Sequence, residues 1–249
     1  MRNATIFGSA AETYKKGRPG YPGALFDWIA EHAPGRDLVW DCGTGSGQAA
    51  HALAQRFERV HATDISAQQL AQAPELARVT YTVADARASG LADGSCDAVT
   101  VATALHWFAD EEFWNEVVRV LKTDGLFAAW VYDLMAIEDA ELSAFYYEPV
   151  KALIAPYWSE GNRVAMAGYD LAALGCPLEP VRTPYIPYRE EWSLDRIIGM
   201  ARSWSATIRL LAEDGDDELV ALENKAKARF GNRAFAVALP LSFVAGRKS

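Results

Sequence analysis

The stretch LVWDCGTGSGQAA, Leu38 to Ala50, decides how the chain is read. Its opening is a short apolar run, its middle alternates glycine with small polar residues, and beyond it Ala50, Leu53, Ala54 and Phe57 fall on one helical face. A glycine loop between a strand and a helix is the context a nucleotide-type loop requires. Residues without Cβ accept positive φ and let a ligand approach the main chain, and the helix start presents free N–H groups. Two registers overlap here. From Gly45 the loop is G-x-G-x-x-A, the dinucleotide pattern, with Asp64 standing 19 residues further on. From Asp41 it is D-x-G-x-G-x-G, an acid at a strand end ahead of Gly43, Gly45 and Gly47.

The acid separates the two registers. A carboxylate at Asp41, pointing from the strand end toward a ligand, repels a pyrophosphate and attracts a cation. Asp64 ends the next strand, RVHATD, and can accept ribose hydroxyls from either kind of cofactor. Asp85 ends the third, RVTYTVAD, where a carboxylate can take an adenine amino group while the N–H of Ala86 meets the ring. A helical segment, YPGALFDWIAEHAPG, precedes the glycine loop, whereas dinucleotide enzymes commonly open with it, and no Tyr-x-x-x-Lys constellation follows the fourth strand.

Outward from the loop, strands and helices alternate through CDAVTVAT, the amphipathic DEEFWNEVVRVLKTDG with Asp110 as N-cap, and GLFAAWVY. The pattern predicts an α/β fold, a doubly wound parallel sheet covered on both faces. Residues 133–179 break the alternation and carry Phe145, Tyr146, Tyr147, Tyr157, Trp158 and Tyr169, which reads as an inserted helical and aromatic lid. VRTPYIPY has edge-strand character; one helix is expected over Ser193 to Ala212, another over Asp216 to Phe230, and RAFAVALPLSFVAGRK reads as a last strand. We read residues 1–249 as one domain, with lead-in helices over 1–36.

Composition bounds the partners. The net charge of −9, with no Lys/Arg-rich run, argues against nucleic acid. Cys42, Cys96 and Cys176 are odd in number and far apart, so neither a disulfide framework nor a metal centre is expected. No signal-peptide-like start and no long apolar span occur, which predicts a cytoplasmic protein without a membrane partner.

The pieces YKKGRPGYP, DCGTGSGQ, ATD, VADA, GSCDAVTVATALHWF and VLKTDGLFAAW occur in this order from Tyr14 to Tyr132. In that arrangement the chain resembles the class I S-adenosylmethionine (SAM)-dependent methyltransferases of the type 11 group, and within them the trans-aconitate methyltransferase-like subset. LKTDG departs from the L-x-P-G-G usual there. The resemblance implies a seven-stranded Rossmann-like sheet whose last strand runs antiparallel. It also implies SAM as cofactor, S-adenosylhomocysteine as product, no metal, and in-line methyl transfer to a small-molecule acceptor, a carboxylic acid among the candidates.

Carried over by position, the resemblance puts Asp41, Gly43, Thr44, Gly45 and Gly47 around the methionine part. Asp64 with Ile65 would hold the ribose, Asp85 and Ala86 the adenine, and Ala102 and Thr103 would lie near the methionyl group. Tyr14 and Arg18, four apart, share a helical face and are candidates to fold over the same pocket. His106 is the candidate catalytic group, as acceptor-orienting residue or general base, since an imidazole titrates near neutral pH. Trp107 and Trp204 join it as candidate pocket lining, although Trp204 falls with Ile197, Ala201, Ile208 and Leu211 on one helical face and so reads first as core; Arg202 and Arg209, seven apart, are a weaker candidate pair for an acceptor carboxylate. On the residues alone, two alternatives stay open: an NAD-dependent oxidoreductase using Gly45-x-Gly47-x-x-Ala50, and a SAM-binding module without catalysis.

Overall fold

The computed structural model describes residues 20–249. The described strands are β1 (Leu38–Cys42), β2 (Arg59–Asp64), β3 (Val79–Val83), β4 (Cys96–Ala102), β5 (Leu121–Tyr132), β6 (Ala136–Ile137), β7 (Glu179–Val181), β8 (Arg189–Ser193), β9 (Ala234–Ala238) and β10 (Leu241–Arg247). The helices are α1 (Gly23–His32), α2 (Gln48–Leu53), α3 (Ala67–Leu70), α4 (Glu111–Val120), α5 (Ala140–Leu142), α6 (Glu148–Ile154), α7 (Glu160–Met166), α8 (Leu194–Arg202), α9 (Ser205–Glu213) and α10 (Asp217–Phe230). They fall into two compact units, one of residues 20–133, 164–186 and 241–249, the other of residues 134–163 and 187–240.

The first unit holds the expected α/β sheet, seven strands in the order β3-β2-β1-β4-β5-β10-β7. β3, β2, β1, β4 and β5 are parallel, and β10 runs antiparallel between β5 and β7. Both faces are covered, so successive residues of one strand enter different cores. Trp40 and Cys42 pack with Val99, Phe127 and the α4 residues Phe113, Trp114 and Val117. Val39 points the other way, with Ala98, Trp130, Leu53 of α2, and Leu25 and Ile29 of α1. Asp110 caps α4 by accepting from the Phe113 N–H at 3.0 Å, as the sequence indicated. The order reverses on either side of β1 and β4, which places the glycine loop at the topological switch point.

The second unit contains a small sheet, β6-β9-β8, antiparallel throughout, with most of its helices around a core that includes Tyr146, Trp192, Ile197 and Phe235. This sheet is not foreseen from the sequence. RAFAVALPLSFVAGRK is two strands: β9 ends ahead of Pro240, which has no N–H to continue the ladder, and β10 belongs to the other sheet. VRTPYIPY forms a strand only at its first residue, where β7 ends, and its prolines interrupt the rest.

Three boundaries differ from expectation. The 133–179 lid is not one continuous insert, because Tyr169, Leu171 and Leu178 are buried with the α4 face of the large sheet and draw residues 164–186 into the first unit. The helix expected over Ser193 to Ala212 breaks into α8 and α9. There the Ser203 Oγ bonds back to the Met200 carbonyl at 2.7 Å, the Thr207 Oγ1 to the Ala201 carbonyl at 2.6 Å, and Trp204 turns extended. α4 stops at Val120, and LKTDG opens β5 instead of closing the helix.

Candidate functional site

The glycine loop leaves β1 with Gly43, Gly45 and Gly47 all at positive φ, 69°, 57° and 80°. Their reasons for being glycine differ. A Cβ on Gly43 would stand 2.9 Å from the Ala104 Cβ, and one on Gly47 would stand 2.7 Å from the Tyr81 hydroxyl, so both are packed against protein. A Cβ on Gly45 would meet nothing within 4 Å. Gly45 is therefore the point where the loop backbone faces open space. The loop is pinned by the Thr44 N–H to the Thr63 carbonyl at 2.9 Å and the Gly47 N–H to the Thr44 carbonyl at 3.0 Å. The Ser46 hydroxyl is buried within it without a hydrogen-bond partner.

Three carboxylates stand near this loop, Asp41 within β1, Asp64 at the end of β2 and Asp85 just past β3, all close enough to act on Cys42. Asp41 is fully buried, its Oδ2 accepting from the Thr44 hydroxyl at 2.6 Å and its Oδ1 from the Thr100 hydroxyl at 3.0 Å. Burial raises its pKa from 3.8 to about 6, against the lowering effect of Thr44 and Thr100; the neighbouring Asp64 charge adds to the rise, and the Ala50 N–H in the first turn of α2 opposes it. The sequence suggested a carboxylate pointing at the ligand. In the structure the side chain is turned into the protein, with one oxygen on Thr44 and the other on Thr100.

Asp64 is half-buried and holds two backbone donors, the Gly45 N–H at 2.9 Å and the Ser66 N–H at 2.8 Å. Burial again raises its pKa, against those same bonds. Neither Asp41 nor Asp64 is offset by a cation among the described residues. Asp85 is balanced, its Oδ1 accepting from the Arg87 N–H at 2.9 Å and from its guanidinium at 3.2 Å. All three acids are close enough to Cys42 to push its thiol pKa up, after burial as the larger cause, so Cys42 is a buried thiol and no nucleophile. Ile65 beside this group is 64% exposed, an apolar surface where a ring could lie.

The end of β4 forms the next wall. Ala102 is half-buried, and Thr103 has a positive φ of 56°, held by its N–H to the Trp130 carbonyl at 2.7 Å, while its hydroxyl meets the Tyr21 hydroxyl at 3.2 Å. A 3-10 turn, Leu105–Trp107, follows. Within it the His106 Nδ1 lies 2.8 Å from the Tyr169 hydroxyl, and the Trp107 ring stands 4.5 Å from the imidazole. Burial pushes the Tyr169 phenol well above its usual range, so it keeps its proton. Nδ1 is thus the ring nitrogen engaged by the phenol, and which of the two groups donates depends on the imidazole tautomer. Where the phenol donates, the neutral imidazole carries its own hydrogen on Nε2. The contact is compatible with both roles that the sequence offers His106, acceptor-orienting residue and general base.

Tyr169 and Thr100 are the residues sequence reasoning missed. Tyr169 was read only as one aromatic of a lid, and Thr100 only as a strand residue. Trp204 is buried in the second unit, beside the rings of Tyr147 and Trp158, which is the core position it also fitted. Arg202 is bidentate to Glu223 at 2.7 and 2.9 Å, and Arg209 bonds the Tyr157 carbonyl at 3.1 Å. The helix break between them removes the shared face expected for the two arginines. Tyr14 and Arg18 lie outside the described residues. Among the described residues there is no cluster of His, Cys, Asp and Glu able to hold a metal ion, and no helix long and apolar enough to cross a membrane.

Comparison with known proteins gives a consistent picture. A family model described as a methyltransferase domain matches residues 40–129, from β1 to β5. A protein of Dictyostelium discoideum described as a "putative methyltransferase" is 32% identical over 219 residues, which span 86% of this chain and 81% of that protein. A solved structure described as a "putative Type II methyltransferase" from Anaeromyxobacter dehalogenans is 38% identical with a TM-score of 0.82, covering 92% of this chain and 97% of that one. A Saccharomyces cerevisiae protein described as a "probable S-adenosylmethionine-dependent methyltransferase" is 28% identical over 168 residues, 63% of this chain and 58% of that protein.

Proposed function

This chain belongs to the class I SAM-dependent methyltransferases, and from that premise we propose that it methylates a small carboxylic acid on oxygen, with the cofactor held on the Gly43–Gly47 loop. The NAD reading of the Gly45 register is thereby set aside. One observation carries the cofactor placement: Asp64 accepts from the N–H of Gly45, the loop glycine whose side is open, Asp41 and Asp85 act with it on Cys42 beside the loop, and Asp41 and Asp64 have no cation among the described residues. Such a field repels a pyrophosphate and favours an ammonium and a sulfonium.

In this reading Gly45 lets the methionine part approach the main chain, with Gly43, Thr44 and Gly47 shaping the turn. Asp64 exchanges its bond to the Gly45 N–H for the ribose hydroxyls, Ile65 lies under the adenine, and Asp85 with the Ala86 N–H meets its edge. Ala102 and Thr103 flank the methionyl group. When bound, SAM supplies a methyl group already activated on a sulfonium, which leaves alignment and exclusion of water to the protein.

His106 supports the acceptor class, with the Tyr169 hydroxyl donating to its Nδ1 in this reading. A residue that donates through Nε2 can orient a carboxylate, and a carboxylate needs no base to attack a methyl group. Trp107 would line the same side. The trans-aconitate-like subset is not carried further than the carboxylic acid class. Over residues 133–179 the cations are Lys151 and Arg163 against eight acids, and both are paired, with Glu148 at 3.0 Å and Glu160 at 3.9 Å. That segment is a poor source of cations for a tricarboxylate.

The test has two parts. Calorimetry should show binding of SAM and S-adenosylhomocysteine and none of NAD. Release of S-adenosylhomocysteine should then be screened against monocarboxylic acids, tricarboxylic acids, phenols and amines. Turnover with amines or phenols alone would refute the carboxylate assignment, and cofactor binding without turnover on any acceptor would favour a binding module.

A further inference from the structure

β3 is one edge of the large sheet. The Val60 N–H bonds the Arg78 carbonyl at 2.8 Å and the Ala84 N–H bonds the Asp64 carbonyl at 3.1 Å, so the even-numbered residues of this strand turn their polar groups toward β2. Backbone direction alternates along a strand, and Val79, Tyr81 and Val83 therefore point theirs away from the sheet. The Val79 N–H is taken by the Leu76 carbonyl at 3.1 Å. Among the described residues nothing takes the N–H groups of Tyr81 and Val83 or the outward carbonyls.

Soluble proteins usually blunt such an edge with Lys, Pro, Gly or a bulge. None is present. The strand is Val79-Thr80-Tyr81-Thr82-Val83, residue types that favour strands, and its register with β2 is unbroken from Val79 to Val83. Val83 is 58% exposed.

The sequence of the edge also names its partner. Read in either direction from Tyr81, the strand is the same: Thr80 mirrors Thr82 and Val79 mirrors Val83. We propose that β3 pairs antiparallel with β3 of a second copy of this chain, about a two-fold axis through Tyr81. Both Tyr81 residues then exchange N–H to carbonyl bonds, and each Val83 N–H meets the Val79 carbonyl of the other copy. Because Tyr81 faces outward, the axis falls on a hydrogen-bonded pair, as an isologous antiparallel contact requires. Across the axis Val79 faces Val83, and Thr80 faces Thr82, pairs that stabilise sheets. Arg78, the charge at the start of the strand, comes opposite Ala84, so no like charges meet.

A five-residue ladder is a small interface, and the dimer it makes is of the weak, concentration-dependent kind. Sedimentation velocity from about 1 µM to about 1 mM should show a monomer passing to a dimer, across the range where weak complexes form. Over the same range, amide exchange at Tyr81 and Val83 should slow. Val83→Pro removes the outward donor without touching the β2 ladder, and Val83→Lys buries a charge against Val79 of the other copy; thermal unfolding confirms that each variant is folded. Both variants should stay monomeric at concentrations where the parent protein is a dimer. A parent protein that remains monomeric at about 1 mM, or a folded Val83→Pro variant that dimerises as the parent does, overturns the proposal.

Discussion

The hydroxyl of Tyr169 lies 2.8 Å from Nδ1 of His106, joining a turn after β4 to a residue 63 positions further along the chain. In the proposed reading the phenol, kept protonated by burial, donates to Nδ1 and so selects the tautomer of the neutral ring. Nitrogen-15 NMR of the imidazole should therefore find the neutral form of His106 protonated on Nε2. In Tyr169→Phe the ring should populate both tautomers. A parent ring protonated on Nδ1 would return His106 to the role of general base.

Asp41 carries a prediction about stability and binding together. Its folded pKa of about 6 exceeds the ordinary 3.8, so the folded protein binds the proton more tightly than the unfolded chain. Stability from this group is greatest below pH ~4, falls as pH rises toward about 6, and stays low above it. The shift corresponds to about 3 kcal/mol. Asp41→Asn removes the charge while keeping an acceptor for Thr44 or Thr100, and rearranging those bonds returns about 1 kcal/mol of the gain. Denaturant titration at pH 8 should thus find the variant about 1–2 kcal/mol more stable, with the pH 4–6 slope reduced, and calorimetry should find SAM binding weakened. A variant that is less stable at pH 8 would mean that Asp41 is structural.

How far the sequence could be read follows from where its signals are local. The order of strands and helices from Val39 to Tyr132 comes from uninterrupted periodicity, and the glycine loop announces itself within a few residues. The direction of the Asp41 side chain does not, since Thr100 on the adjacent strand shares in deciding it. His106 stands next to Trp107 in sequence, but its partner Tyr169 lies in a segment with no period of its own. The small second sheet was invisible because β6 and β8 are short and β9 abuts Pro240, so an apolar run through two sheets reads as one strand. At Ser203 the helix yields to a side chain bonding its own backbone, a local competition that the apolar period from Ile197 to Leu211 conceals.

Asp64 should be decisive for the cofactor and mild for the fold. Replacing it with Ala removes the acceptor proposed for the ribose and should weaken SAM binding by roughly 1.5–3 kcal/mol for each charge-assisted bond lost. Its present partners, the Gly45 and Ser66 N–H groups, are only partly buried, so water can replace the carboxylate there. Calorimetry with SAM on Asp64→Ala, beside a thermal melt, separates the two effects. Unchanged SAM affinity would place the ribose elsewhere.

The glycines themselves provide the sharpest separation of fold from ligand. Both Gly45→Ala and Gly47→Ala put a side chain at positive φ, which costs roughly 1–2 kcal/mol. At Gly47 the new Cβ would also stand 2.7 Å from the Tyr81 hydroxyl and 3.2 Å from the Ala73 Cβ, so that variant should lose further stability by forcing the loop off β3. At Gly45 the Cβ enters open space, and the penalty should stop at the backbone term. That space is where the methionine part is proposed to lie, so Gly45→Ala should be the more stable of the two and yet lose SAM binding. Thermal melts with and without SAM read both quantities from the same samples. If Gly45→Ala keeps its SAM-induced shift, the cofactor does not approach the loop at this residue.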